Sequence, residues 1–325
     1  MIPIITALSH SKIIVSGATG FIGRHCLKPL LNAGFEVHAL TRTLPTHDSK
    51  RQLLQHPALF WHAIDLQNHA KVQDLVHSIS AQLLMDLAWD TTPATYLHDF
   101  NNLNWIKSSL NLTKCFIASG GQRVLGCGTC AEYDWSAGYL TEYNTPYKSG
   151  TLYSASKIAL RQLTSQICKD AKTSFIWVRP FFVHGPHEHG SRFVPQLINS
   201  AIQNQSLQMP PQAHRVRDYL PIQEAANAIV ASLLSQQQGD FNIASGQAIM
   251  LSDLAKTIAL EVGNALGQEI EVKGVAQSSI NTVDDFVVGN TYRLNTLVGW
   301  QPSCNVASGL KATVQWWLEQ SRQPS

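Results

Sequence analysis

The chain has 325 residues, 44% of them hydrophobic and 14% charged, with a formal net charge of +2. That is enough chain for one large core and a smaller one, with an ordinary globular surface. No basic run, low-complexity tract or long apolar stretch is present, so neither a nucleic acid nor a membrane is an expected partner. The apolar N-terminus has no basic segment or small-residue cleavage pattern, so a signal peptide is not expected. The six cysteines are scattered, which fits reduced thiols in the cytoplasm.

Residues 12–16, an unbroken apolar run rich in β-branched residues, read as a buried strand. Gly17, Gly20 and Gly23 follow at G-x-x-G-x-x-G spacing, with Thr19, Phe21 and Ile22 between them, and residues 21–31 have helical periodicity. Strand, glycine turn and helix start together make a phosphate cradle, because close backbone approach and free N–H groups suit an anion. A second strand at 36–40 ends in Thr41-Arg42. An acidic residue there would suit the ribose hydroxyls of NAD. Arginine suits a 2′-phosphate, so Arg42 points to NADP(H), with NAD(H) as the alternative.

Strands are expected at 60–64, 83–88 and 123–126, with a helix at 99–119 before the last of them. This alternation predicts an α/β fold: a doubly wound parallel Rossmann sheet, with ligands at the strand C-termini. Cys127 and Cys130 form a C-x-x-C, but no second ligand pair accompanies them, and the flanking residues read as a strand end. Tyr153 and Lys157 open a helical segment and share one face at i, i+4. A neighbouring ammonium favours the phenolate, so the pair reads as a proton-transfer unit, with the Thr129 hydroxyl placed to hold a substrate oxygen.

Taken together, GATGFIG, Thr129 and Tyr153/Lys157 resemble the extended short-chain dehydrogenase/reductase family, and within it the NAD(P)-dependent nucleotide-sugar epimerase/dehydratase/reductase group. The resemblance implies Tyr153 as acid/base, Lys157 on the nicotinamide ribose and Thr129 on the substrate oxygen. It also implies an adenine contact at Asp65-Leu66 and a backbone contact at Leu87-Ala88. The segment Arg179 to Pro186, similar to R-P-x-x-V-Y-G-P with His184 in place of tyrosine, would set Pro180 and Val183 beside the nicotinamide. Asn102 matches a family asparagine, although Trp105 and Ile106 replace the usual Gly-Thr. Arg217-Asp218-Tyr219 is a further landmark.

Residues 1–178 are expected to form the cofactor domain. Residues 179–325 are expected to form mainly a smaller substrate domain, interleaved with the last Rossmann strands. The substrate implied is a nucleoside-diphosphate sugar. Arginine is the natural pyrophosphate partner, which selects Arg217 and Arg192, the latter leading into Phe193. Trp89 and Tyr133 are candidate walls against the hexose. His187-Glu188-His189 lacks the spacing of a metal site, and none is expected. Residues 203–215 read as a loop over the nucleotide.

The family's 4,6-dehydratases follow the threonine with Asp-Glu, whereas here Cys130-Ala131 stand there and Glu132 comes one place late. That leaves an NADPH-dependent reductase of a 4-keto-6-deoxyhexose nucleotide, in deoxysugar biosynthesis, or an NAD-retaining 4-epimerase. A non-catalytic NADP(H) sensor is the reading of another class, and both Tyr153 and Lys157 being kept counts against it. Apolar stripes on helices 99–119 and 153–169 suggest the four-helix homodimer common in this family.

Overall fold

The computed structural model describes residues 11–44, 56–274 and 284–322; the N-terminal residues bearing on the signal-peptide expectation lie outside them. Seven parallel strands form the central sheet: β1 (Lys12–Ser16), β2 (Glu36–Thr41), β3 (Leu59–Ala63), β4 (Leu83–Asp86), β5 (Arg123–Cys127), β6 (Ser174–Pro180) and β7 (Gly239–Ile243). Their order is β7-β6-β5-β4-β1-β2-β3, so the chain reverses direction across the sheet between β1 and β4. At such a switch point the connections diverge to opposite faces and leave a crevice at the strand C-termini.

Helices α1 (Phe21–Asn32), α2 (His69–Ile79), α3 (Asn101–Ala118) and α4 (Leu152–Asp170) follow strands of the first half. Helices α5 (Phe193–Asn204), α6 (Ile222–Leu234), α7 (Leu251–Leu266) and α8 (Val306–Ser321) belong to the second. One face of the sheet packs on α1 and α6 through Leu27, Leu30, Ala225 and Ile229. The other packs on α2, α3 and α4 through Val72, Leu112, Phe116 and Leu160. A separate core joins α5, α7 and α8 through Ile198, Leu254, Ile258 and Leu310. The halves interleave: Tyr139–Leu140 pairs with Phe286–Gly289 in a second, four-stranded sheet, and β7 closes the edge of the first.

The expected strands and helices are present, with ends shifted by a residue or two. The strand expected over 83–88 stops at Asp86, because the Leu87 and Ala88 N–H groups both turn to Ser16 Oγ at 3.0 Å. The stretch 203–215 is not all loop, since Ser206–Gln208 pairs with Glu271–Lys273.

Candidate functional site

A cavity of about 880 Å³ runs along the C-terminal edge of the sheet. Its first wall is the glycine turn. Gly17 has φ +65°, and a Cβ there would lie 2.8 Å from the Ala88 nitrogen. A Cβ on Gly23 would run into the Gly17 carbonyl oxygen. The turn is therefore restricted to glycine by both conformation and space. Helix α1 begins at Gly20 with no side-chain cap, so its first N–H groups point into the cavity unpaired by any cap. This is the fit a dinucleotide pyrophosphate requires. Thr19, Gly20, Phe21, Ile22, Thr41, Arg42, Leu66, Leu87 and Ala88 line the same side. Thr19 and Thr41 hydroxyls are joined at 3.2 Å. Arg42 is exposed, and the Asp90 carboxyl, held below its ordinary range mainly by Thr92 hydrogen bonds, also feels the Arg42 charge.

Asp65 does not join them. It is exposed, and its carboxylate accepts from Gln67 N at 3.0 Å; Ile64 and Leu66, its neighbours, line the cavity instead. Asp65 lies beyond the strand end at Ala63, and its carboxylate caps the turn that follows.

The middle of the cavity holds the proton-transfer group. Thr151 caps α4 through a reciprocal pair with Ser154, placing Tyr153 in the first turn and Lys157 one turn on. Tyr153 N donates to Leu97 O at 3.0 Å, tying the helix start to the loop after β4. Thr129 caps the short turn after β5, and its hydroxyl acts on the Tyr153 phenol, opposing the rise of its pKa. Thr129 Oγ1 accepts from Ala131 N and keeps its own proton to donate.

One expectation changes here. Burial pushes the Tyr153 phenol up, with Cys127 and Tyr96 adding to it, and the Thr129 hydrogen bond is what opposes. Lys157 is engaged elsewhere: Nζ donates to Cys127 O at 2.7 Å and sits 3.8 Å above the Trp89 ring. Burial also lowers the Lys157 ammonium, against the pull of Cys127, Asp86 and Glu132. Trp89 is in turn held by Asn102, whose Oδ1 accepts from the indole at 2.8 Å while Nδ2 donates to Tyr96 O and Asp99 O. The buried asparagine thus fixes the loop that covers the lysine.

Cys127 and Cys130 both line the cavity, but burial pushes their thiols up to about 11 and about 12, so neither is a thiolate at neutral pH. Among the described residues no group of three His, Cys, Asp or Glu side chains could hold a metal ion. Glu132 turns away from the cavity. It accepts from Thr129 N and Trp177 Nε1 and pairs with Arg179 at 2.7 Å, both charges fully buried. Arg179 also reaches Asp240 at 2.8 Å.

The far end is formed by the second half. Pro180, Val183, Arg192, Phe193 and Arg217 line it. Arg217 lies between the rings of Trp135 and Phe182, 5.5 and 5.4 Å from their centroids, and donates to Val216 O and Asp285 O. Arg192 spans to the opposite wall, donating to Thr91 O at 2.8 Å over the Tyr96 ring. Tyr133 is a correction: it is 2% exposed and absent from the cavity, its hydroxyl bound to Asn242 at 2.9 Å and its ring stacked on Tyr147 beside Arg179. Trp135, two residues later, is the wall instead.

Sequence reasoning also missed Tyr96, Arg215 and Tyr219. For Arg215 a signal existed, because alternation along Val216–Arg217 puts 215 and 217 on one face.

A family model, the NAD dependent epimerase/dehydratase family, matches residues 13–244. The dTDP-6-deoxy-L-talose 4-dehydrogenase (NAD(+)) of Aggregatibacter actinomycetemcomitans is 26% identical over 238 residues, covering 73% of this chain and 85% of its own length. CDP-abequose synthase of Salmonella typhimurium is 23% identical over 306 residues, 92% of this chain and 96% of its own. The structure of a UDP-N-acetylglucosamine 4-epimerase from Methanobrevibacter ruminantium, in complex with UDP-N-acetylmuramic acid, superposes with a TM-score of 0.81 at 19% identity, over 96% of this chain and 99% of that one.

Proposed function

The chain belongs to the NAD dependent epimerase/dehydratase family, and within it we propose an NADP(H)-dependent reductase of a nucleotide-linked keto-sugar of the 4-keto-6-deoxyhexose type. The carrying observation is one proton-transfer group without the dehydratase pair. Tyr153 and Thr129 face the cavity, Cys130 and Ala131 take the places after Thr129, and the Glu132 carboxylate is bound to Arg179. A 4,6-dehydratase needs a further acid and base there. A carbonyl reduction needs only one proton donor and a hydrogen bond to the carbonyl oxygen.

In this reading Tyr153 gives its proton to the carbonyl oxygen, and Thr129 donates a hydrogen bond to the same atom. The raised phenol suits a proton donor, because it stays protonated until the substrate oxygen gains charge. A bound nicotinamide supplies the hydride chemistry. The glycine turn and the start of α1 would hold its pyrophosphate, Leu66 and Arg42 the adenosine side, and Pro180 and Val183 the nicotinamide side. Arg217 and Arg215 would meet the substrate diphosphate. Residues 1–178 would carry the cofactor half and 179–325 most of the substrate half.

Arg42 supports the phosphate-bearing dinucleotide. NAD(H) is the second reading, favoured by the NAD(+) in the name of the dehydrogenase relative. The purified protein should release no bound nucleotide on denaturation, bind NADPH more tightly than NADH, and consume NADPH with a 4-keto-6-deoxy sugar nucleotide. Stoichiometric tightly held NAD would replace this reading with the 4-epimerase; turnover with NADH alone would keep the reductase and remove Arg42 as a phosphate ligand. A homodimer through α3 and α4 is also proposed, since Phe100, Leu103 and Leu163 stand exposed there at 80%, 50% and 47%. Sedimentation giving a monomer at micromolar concentration would remove it.

A further inference from the structure

The carboxyl group of Glu188 has no part in the proton-transfer group, yet it faces the same cavity. Glu188 sits in the turn between the strand Phe182–His184 and α5. The turn is tightly specified. A Cβ at Gly185 would run into the Ile222 side chain, His187 takes φ +68°, and Glu188 N donates to Gly185 O at 3.3 Å. Glu188 Oε2 is buried and has no hydrogen-bond partner among the described residues. Leaving a buried carboxyl oxygen unpaired is costly, so such an atom calls for a partner. Arg192 lies close enough to act on it, but its Nη2 is given to Thr91 O across the cavity.

Burial pushes the Glu188 carboxyl up to about 8, against Arg192 and the Gly185 backbone. At neutral pH it is therefore largely the acid, with one O–H to donate and oxygen lone pairs to accept. A sugar hydroxyl, which is both donor and acceptor, complements that pattern.

We propose that Glu188 is a further substrate-binding residue, whose carboxyl exchanges a hydrogen bond with a ring hydroxyl of the substrate sugar. The proposal rests on the cavity being a nucleotide-sugar site.

The test is calorimetric. The wild-type protein is titrated with UDP, dTDP and CDP, and then with the glucose conjugate of whichever diphosphate binds most tightly. The expected result is that Glu188→Ala weakens the glucose conjugate about tenfold and leaves the parent diphosphate unchanged. Glu188→Gln, which keeps a donor and an acceptor, should retain the glucose conjugate. Equal weakening of diphosphate and conjugate, or no change in either, overturns the proposal. So does a glucose conjugate that Glu188→Gln binds as weakly as Glu188→Ala does. If no diphosphate binds the wild type, the nucleotide-sugar reading falls and the proposal with it. If a diphosphate binds but Glu188→Ala does not weaken the glucose conjugate relative to it, the proposal falls alone.

Discussion

The two ends of the cavity are built from different materials. At the cofactor end the wall is backbone: Gly17, Gly23 and the Leu87-Ala88 peptide lie so close that no side chain fits between them. At the substrate end the wall is long side chains on separate connections, with Arg192, Arg217, Trp135 and Tyr219 converging from loops far apart in sequence. Backbone approach leaves few alternatives for what can bind, whereas converging side chains can be exchanged without disturbing the sheet. The first arrangement suits a ligand shared by many proteins, and the second suits a ligand that distinguishes one protein from the next.

The contrast can be broken hardest at the seam, where Tyr153 serves both ends. Tyr153→Phe should lower kcat by about 10²–10⁴-fold while leaving dinucleotide affinity unchanged in titrations, since only the proton donor is lost. Unaltered turnover would remove the residue from catalysis.

Behind the substrate end, Arg179→Met should cost about 3–5 kcal/mol of unfolding free energy, because Glu132 would stay buried without its cation while Asp240 keeps Arg161. Urea titration reads this directly. A loss well below 1 kcal/mol would mean the network relaxes to water.

His184 tests the same wall through pH. It is fully buried, and burial lowers its imidazole to about 4. The unfolded chain binds this proton near 6.5 and the folded chain only near 4, so stability should fall as pH drops through that window. The loss should amount to about 2–3 kcal/mol by the lower end. Comparing wild type with His184→Gln across pH 7 to 4.5 isolates the contribution, and parallel curves would refute it.

The smallest effect belongs to the cofactor end. Arg42→Ala should reduce the NADPH-to-NADH affinity ratio about tenfold, or about 1.4 kcal/mol, with little change in NADH binding. An unchanged ratio would sharpen the comparison by leaving that end to backbone alone.

What could be read from the sequence follows the same division. The glycine turn and the Tyr153/Lys157 spacing each lie within one strand–turn–helix or one helical turn, where local periodicity dictates which residues share a face. Tyr133 and Trp135 sit on one irregular loop, and which of them meets the cavity is decided by Arg179 and Asn242, which come much later in the chain. Asp65 follows the strand end at Ala63, where the chain turns and local periodicity no longer says which side a residue faces. The turn of Lys157 toward Cys127 O and Trp89 depends on Asn102 holding the intervening loop, a three-element arrangement with no local signature.

The pairing of Arg179 with Asp240 also sets an order of events during synthesis. β7 leaves the ribosome after α5 and α6, yet it closes the sheet edge and brings the second carboxylate to a guanidinium already committed to Glu132. Glu132 in turn accepts from Thr129 N, so the ion-pair network behind the Thr129 turn is complete only when the chain has been translated past residue 240. The residues of the glycine turn are thus synthesised long before the network behind Thr129 can close.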